Sequence, residues 1–336
     1  MQEPWFWRSK TLTASVISTG LSPLGACYNF GQQQKWRMSK PARAPAPVIC
    51  VGNATLGGVG KTPYAIKLHQ LFAQENLSAA FLSRGYGGRL EGPAKVDVTS
   101  HSAIDVGDEA LILAARGNCW IARDRAKGAM TAASSADVLI MDDGLQNPNL
   151  EKSLSFLLVN NADPVGNGRV FPAGPMREPF VQALHRVDAV VAIKAEKDIS
   201  VQNFFIDAIG EKPLFSAWLE PLSNDLPTKA VAFCGIGQPQ RFFDMLSKCN
   251  VELAARYSFS DHHAYSIAEL SRLRQVAKKE GAPLLTTEKD FMRLPEQDRQ
   301  DISYLPVELA IDDEAGVKSL MLDAIDRWRR NARPAS

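Results

Sequence analysis

Val48-Ile49-Cys50-Val51-Gly52-Asn53-Ala54-Thr55-Leu56-Gly57-Gly58-Val59-Gly60-Lys61-Thr62-Pro63 decides how the rest of the chain is read. Its first four residues are an apolar run of strand type, and its middle is a glycine-rich turn. Lys61-Thr62 then opens a segment, Tyr64 to Phe72, whose apolar residues recur at helical spacing. Strand, loop and helix in this order predict a phosphate cradle of P-loop type. Backbone N–H groups of Gly57, Gly58, Val59 and Gly60 can surround phosphate oxygens, and the helix N-terminus adds partial positive charge. Lys61 can reach the β- and γ-phosphates of ATP, and Thr62 can ligate Mg²⁺. Thr55 stands where the G-x-x-x-x-G-K-[ST] pattern has its first glycine, so Gly57 and Gly58 are expected to carry the turn. A turn that merely joins strand to helix is the alternative; the Lys-Thr pair and both flanking elements favour the cradle.

A chain of 336 residues has room for two cores, and 45% hydrophobic with 22% charged residues excludes collagen-like, coiled-coil and globally disordered classes. The net charge of +1 is unevenly placed: residues 1–46 carry Arg8, Lys10, Lys35, Arg37, Lys40 and Arg43 against Glu3 alone. A basic leading segment on a mildly acidic body predicts an anionic surface as partner, membrane lipid being the natural one, and no nucleic acid is expected. The five cysteines are odd in number and form no C-x-x-C pair, which indicates free, mostly buried thiols in a reducing compartment and argues against a cysteine zinc site.

Residues 1–46 read as a membrane-associating segment. Trp5, Phe6 and Trp7 beside Arg8 and Lys10 suit a membrane interface. Thr11 to Gln34 carry no charge, but Gly20, Pro23 and many hydroxyls make a poor transmembrane helix, so an interfacial helix is predicted. Two alternatives stand beside it. One is a signal peptide, since Leu24-Gly25-Ala26-Cys27 is similar to a lipoprotein cleavage site, but export would carry the cradle into a compartment without ATP. The other is a helix packed on the protein's own body. Ala42 to Pro47 reads as a linker.

From Val48 onward, strand-like runs alternate with helical patterns: Val48–Val51, Ala79–Ser83, Cys119–Ala122, Val138–Asp142, Ser155–Val159 and Ala189–Ile193. This predicts an α/β fold with a mostly parallel sheet flanked by helices, whose functional residues lie at the carboxyl ends of strands. Residues 47–195 are assigned to this P-loop domain, 196–228 to a linker, and 229–336 to a smaller α/β domain with a second alternating block.

Three candidate stretches lie at or beyond strand ends. In Ser83-Arg84-Gly85-Tyr86, Arg84 can neutralise phosphate and Tyr86 can pack on a ligand, though an ordinary loop reads the same way. In Val106-Gly107-Asp108-Glu109, capping is the default for Glu109, and Asp108 is the candidate carboxylate for an attacking hydroxyl. Val138 to Asp142, four apolar residues ending in aspartate, has the Walker B pattern for holding Mg²⁺, and adjacent Asp143 repels Asp142 unless a cation is near. Further on, Gly166 to Pro179 forms a glycine- and proline-rich loop whose Arg169 and Arg177 can meet substrate phosphate. In the second block, Asp261-His262-His263 favours a histidine–carboxylate partnership over a metal site, and Gly235-Ile236-Gly237 is too weak to argue from.

Together these residues resemble a known family. Gly57-Gly58-Val59-Gly60-Lys61-Thr62-Pro63, Ser83-Arg84-Gly85-Tyr86-Gly87, Val106-Gly107-Asp108-Glu109, Asp142-Asp143-Gly144-Leu145-Gln146, Gly166-Asn167-Gly168, Pro172-Ala173-Gly174-Pro175, Arg177-Glu178-Pro179, Asp261-His262-His263 and Thr286-Thr287-Glu288-Lys289-Asp290 follow the order seen in tetraacyldisaccharide 4'-kinases. The resemblance covers nearly the whole chain. It implies transfer of the ATP γ-phosphate to the 4'-hydroxyl of a lipid A disaccharide precursor, at the cytoplasmic face of a Gram-negative inner membrane, with no obligate protein partner. It further implies that Thr55 and the residues from Gly57 to Thr62 hold nucleotide with Tyr86 at its edge, and that Thr62 and Asp142 hold Mg²⁺. Lys61, Asp143, Asp108 and His262 are the implied catalytic groups, and Arg84, Asn167, Arg169 and Arg177 the implied substrate contacts. Asn147 departs from the family, which has histidine there, so no proton-handling role is carried to it.

A partitioning-ATPase switch shares Gly-Gly-x-Gly-Lys-Thr but has lysine ahead of the glycines, where this chain has Leu56. A GTPase needs a guanine-reading Asn-Lys-x-Asp stretch, which is absent. A nucleotide-dependent lipid-binding protein without transfer is separated from a kinase only by turnover.

Overall fold

The computed structural model describes residues 3–222 and 225–332. Strands β1 (Val48–Asn53), β2 (Ala79–Ser83), β3 (Ala94–Lys95), β4 (Cys119–Ile121), β5 (Val138–Asp142), β6 (Leu154–Asn160), β7 (Ala189–Ile193), β8 (Leu214–Pro221) and β13 (Val307–Ile311) build one nine-stranded sheet, in the order β13-β8-β7-β6-β1-β5-β2-β4-β3. All neighbours are parallel except at the two edges, where β13 and β3 run antiparallel. A second, wholly parallel sheet has the order β10-β9-β11-β12, from β9 (Lys229–Cys234), β10 (Glu252–Ser258), β11 (Leu284–Thr287) and β12 (Ile302–Leu305).

Every residue of β1 and β5 is buried, as expected of strands with both faces covered, which need apolar side chains without alternation. On one face Ile49, Val51 and Ile140 pack with Tyr64, Leu68 and Phe72 of α2 (Lys61–Gln74). On the other, Val48, Cys50, Leu139 and Met141 pack with Ala129 and Ala132 of α5 (Arg125–Ala132). The remaining helices of the first unit are α1 (Leu12–Met38), α3 (Ala103–Val106), α4 (Asp108–Ala114), α6 (Phe180–His185) and α7 (Asn203–Ile209). The second sheet carries α8 (Pro239–Lys248), α9 (Ile267–Glu280) and α10 (Glu288–Arg293). Helix α9 is opened by a reciprocal Ser266–Glu269 capping box and closed by left-handed Gly281.

The division into domains differs from the sequence reading. Residues 214–221, placed in a linker over 196–228, form β8 and extend the large sheet, because Phe215 to Trp218 are buried and Leu214 to Ala217 pair with the edge of β7. Residues 223–224 of that span lie outside the described residues. Nor does the smaller unit run through 229–336. After β12 the chain returns to the large sheet as β13, and α11 (Glu314–Ala332) adds Val317, Met321, Ala324 and Ile325 to the core that holds Tyr64 and Leu68. Lys318 of α11 bonds Gln74 and Glu75 at the end of α2. The second sheet is thus an insertion between β8 and β13, and residues 333–336 lie outside the described part.

Helix α1 is capped by Thr11, whose hydroxyl accepts from Ala14 N. One side lies on the body. Gly25 sits where a Cβ would be 2.8 Å from the Val170 carbonyl oxygen, and the Trp36 ring stands 4.5 Å from the Arg186 guanidinium and 5.0 Å from Lys152 Nζ. Leu12, Val16, Leu24 and Phe30 are exposed along its other side. No helix among the described residues is long and apolar enough to cross a membrane.

Candidate active site

Strands β1 and β5 are neighbours with Val51 opposite Asp142, so the loop leaving β1 and the carboxylate ending β5 reach the same sheet edge. In the loop, Gly57 and Gly60 have φ of +100° and +92°, backbone geometry that glycine adopts without strain. A Cβ at Gly57 or Gly58 would meet no protein atom within 4 Å, so the space before the cradle is open. Asn53 Nδ2 donates to the carbonyl oxygen of Thr55 at 2.8 Å, and Leu56 N donates to Pro175 O at 2.7 Å, which ties the loop's base to the 166–178 segment. Thr55 is buried in a bridge with Met176, so it anchors the cradle from behind.

Lys61 is buried, with Nζ donating to Asn53 Oδ1 at 3.3 Å and standing 3.8 Å from Asp143 Oδ1. Thr62 Oγ1 donates to Asp142 Oδ2 at 3.0 Å, while the buried Asp142 Oδ1 has no hydrogen-bond partner. Burial and the charges of Glu109 and Asp143 push the Asp142 carboxyl up to about 7, against the pull of Lys61 and Thr62. A hydroxyl beside an orphaned carboxylate oxygen is a hard-oxygen donor set that fits Mg²⁺. Burial also pushes the Asp143 carboxyl up, but Lys61 and Arg177 outweigh it and hold the group below the usual carboxylate range. Arg177 grips Asp143 with two bonds of 2.8 and 3.2 Å. Arg125 lies buried below the pair, Nη1 donating to Ala122 O at 2.6 Å and Nη2 reaching Asp142 O at 3.5 Å, with burial pulling its guanidinium down to about 10.

A second cluster joins the two sheets. Asp108, on the first turn of α4, accepts from Glu109 N at Oδ1 and lies 3.2 Å from His262 Nδ1 at Oδ2. Arg293 donates to the same Oδ2 at 2.7 Å. Lys289 Nζ stands 3.3 Å from His262 Nε2 and 3.3 Å from Glu109 Oε1. Burial pushes the Asp108 carboxyl up, yet the His262 hydrogen bond and the charges of Lys289 and Arg293 overcome it and hold it well below the usual range. Tyr86 packs edge-on to His262, with ring centroids 6.1 Å apart. Gly107, at φ +86°, lets α4 begin against this loop; a Cβ there would lie 2.2 Å from Tyr86 O.

The structure therefore brings Lys61, Thr62, Asp142, Asp143 and Arg177 into one group and Asp108 and His262 into another. His263 is turned away, stacked on Phe259 with Nε2 at 3.1 Å from Glu269. Asn167 and Arg169 differ from the substrate contacts expected of them. Asn167 bonds Ser18 and Ala173 O, while Arg169 bonds Ser22 and Thr19, so both fasten α1 to the loop instead of facing the cradle. Glu109, expected only to cap, pairs with Lys289 across the sheets. Arg84 is exposed at the end of β2. Asn147 Oδ1 accepts from Asn149 N within its own turn. The sequence reading missed Arg125, Lys289 and Arg293 as members of the site.

The sequence matches the tetraacyldisaccharide-1-P 4'-kinase family over residues 17–326. It is 40% identical to the tetraacyldisaccharide 4'-kinase of Maricaulis maris, across 97% of both chains. It is 43% identical to that of Methylorubrum populi, across 97% of this chain and all of the relative. The fold is similar to a crystal structure of the "apo" form of LpxK from Aquifex aeolicus in complex with ATP, with a TM-score of 0.75 and 26% identity, covering 92% of this chain and 99% of that one.

Proposed function

The chain belongs to the tetraacyldisaccharide-1-P 4'-kinase family, and we infer that it is an ATP-dependent kinase phosphorylating the 4'-hydroxyl of tetraacyldisaccharide 1-phosphate in lipid A biosynthesis. The observation that carries the mechanism is the Asp108–His262 pair, held at 3.2 Å across two sheets and facing the edge that bears Lys61 and Asp142.

In-line transfer forms a bond from the acceptor oxygen to the γ-phosphorus and breaks the β–γ bridging bond, with ADP leaving and one proton to be removed. Lys61, now shared between Asn53 and Asp143, turns its ammonium to the β- and γ-phosphates, and the loop's N–H groups take the remaining oxygens. Thr62 and Asp142 would hold Mg²⁺, which would supply positive charge to the phosphates. Asp143, fixed by Arg177, keeps Lys61 aligned. With Nδ1–H donating to Asp108, the Nε2 lone pair of His262, which Lys289 Nζ meets at 3.3 Å, accepts the hydroxyl proton once the acceptor hydroxyl takes the place of that ammonium.

The acceptor is a lipid, and two features suit it. Between α1 and the loop after β5 lies a cavity of about 210 Å³, lined by Asn29, Gln33, Trp36, Gln146, Arg177 and Arg186, amides and guanidinium groups matched to sugar hydroxyls and phosphate. The exposed Leu12, Val16, Leu24 and Phe30 with nearby Trp5 give α1 an apolar side for the cytoplasmic leaflet of the inner membrane. The test is transfer of labelled γ-phosphate from ATP to tetraacyldisaccharide 1-phosphate in detergent micelles. Acceptor-dependent label in the lipid supports the kinase; ATP hydrolysis without labelled lipid overturns it.

A further inference from the structure

Arg293 is 7% exposed at its side chain and closes α10, on the second sheet. Its Nη1 donates to Gly235 O and to Asp290 Oδ1, both at 2.8 Å. Asp290 is fully buried and is itself fixed, accepting from Gly235 N at 3.0 Å, Tyr265 Oη at 2.9 Å and Thr287 Oγ1 at 2.6 Å. The guanidinium is therefore oriented by a frame belonging entirely to the second sheet. Its other edge meets the first sheet, where Nε and Nη2 both lie 2.7 Å from Asp108 Oδ2. That oxygen is also the one His262 Nδ1 approaches, and Nη2 comes within 3.3 Å of Nδ1.

We propose that Arg293 is a positioning residue of the transfer: carried by the second sheet, it fixes Asp108 where His262 meets it and takes a share of that carboxylate's charge away from the imidazole. The proposal rests on the reading of Asp108 and His262 as the proton-handling pair. A rigid planar fork suits the task, since it aligns a carboxylate in a way a flexible ammonium does not. The charged groups facing His262 are Asp108 from α4, Lys289 and Arg293 from α10, and Asp261 from its own loop, with Glu109 of α4 behind them on Lys289. Of the two cations, only Arg293 bonds Asp108 directly; Lys289 Nζ stays 4.0 Å from it.

Removing the guanidinium leaves Asp108 acting on the imidazole alone and takes a positive charge from its side. Both changes favour the protonated ring, so the base is lost at higher pH. In Arg293→Gln, measured in the full-length enzyme with micellar lipid, kcat falls at least about tenfold. The acid limb of kcat/KM for the lipid moves up by about one pH unit. The KM for ATP stays within about twofold, because no cradle residue is touched. Arg293→Lys keeps the charge without the fork, recovers part of kcat and returns the limb toward its original place; it is the decisive variant should the Gln form fail to fold by thermal unfolding. A loss of kcat that is uniform across pH, with the limb unmoved in both variants, makes Arg293 merely structural and overturns the proposal, as does unchanged activity. Asp108→Ala and His262→Ala separate the two levels. If they transfer phosphate at the original rate, the underlying reading falls; if they are impaired while the Arg293 variants keep the original limb, only this inference falls.

Discussion

Lys61, Thr62 and Asp142 reach one another through neighbouring strands of one sheet, whereas Asp108 meets His262 and Arg293 only because a second sheet sits against the first. Thr62 and Asp142 are 80 residues apart, Asp108 and His262 154, and Asp108 and Arg293 185. The first group is anchored by buried strands whose register leaves no freedom. The second depends on how two separately built units meet, so any motion between the units dismantles it while leaving the cradle intact. On the proposed reading, phosphate binding is thus a property of one unit, and acceptor activation a property of the pair.

The sharpest way to break that contrast is Lys61→Ala. Loss of the cradle's cation is expected to lower kcat/KM about 10⁴-fold in the labelled-phosphate assay, more than any change in the cross-sheet group. A smaller loss than that of His262→Ala reverses the ranking. Asp142→Asn comes next, with about a 10³-fold loss of kcat. It carries a stability signature of opposite sign. The Asp142 carboxyl titrates higher in the folded chain, near 7, than when unfolded, so its contribution is present in acid and is lost as pH rises through that value. The Asn form, with no charge to bury, is expected to be on the order of 1–3 kcal/mol more stable than the parent above pH 7 without nucleotide, measured by urea unfolding. His262→Ala is expected to cost about 10²-fold in kcat with little change in the KM for ATP, which sharpens the separation of binding from proton removal. Gly107→Ala strikes the cross-sheet group indirectly. Its Cβ would crowd Tyr86 O at φ +86°, so a loss of about 1–3 kcal/mol in stability and roughly tenfold in kcat is expected, with nucleotide binding by calorimetry unchanged. The mildest effect belongs to Leu24→Ser with Phe30→Ser on α1: roughly tenfold weaker partition onto vesicles containing anionic lipid, and near-normal kcat at saturating micellar lipid. Unchanged partition there marks α1 as a helix of the body alone.

The same contrast governs what the sequence makes legible. Val48 to Thr62 and Val138 to Asp142 can be read because strand, loop and helix signals are contiguous and both strands are apolar throughout. The six strand-like runs from Val48 to Ile193 all appear in the large sheet. Asp108 and the Asp261-His262-His263 group each stand out locally, but that His262 belongs with Asp108 does not, because no spacing links residues 154 positions apart. Arg293 was missed because nothing local distinguishes a buried guanidinium from a solvated one at a helix end. Arg125 is missed for the same reason, standing as the first residue of a helix that carries no recognised motif. Arg169 reads as a substrate contact because a glycine- and proline-rich loop reads as functional, and Asn167 only because the family resemblance implies it, while their partners Ser18, Thr19 and Ser22 lie on a helix far away in sequence. The return of residues 307–332 to the first sheet was hidden because an edge strand and an amphipathic helix look alike in either unit.

That return sets an order of assembly. During synthesis β8 emerges with its outer edge unpaired, and α2 emerges without the cover of Val317, Met321, Ala324 and Ile325, until the entire second sheet has been made. At about 5–20 residues per second the delay is on the order of ten seconds, long for an open strand edge and a bare apolar face in a crowded cytosol. Over that interval the nascent chain shows an unpaired edge and a bare apolar face, the surfaces that holding chaperones cover, and a stop codon placed before residue 307 is expected to release a first unit that lacks part of its core.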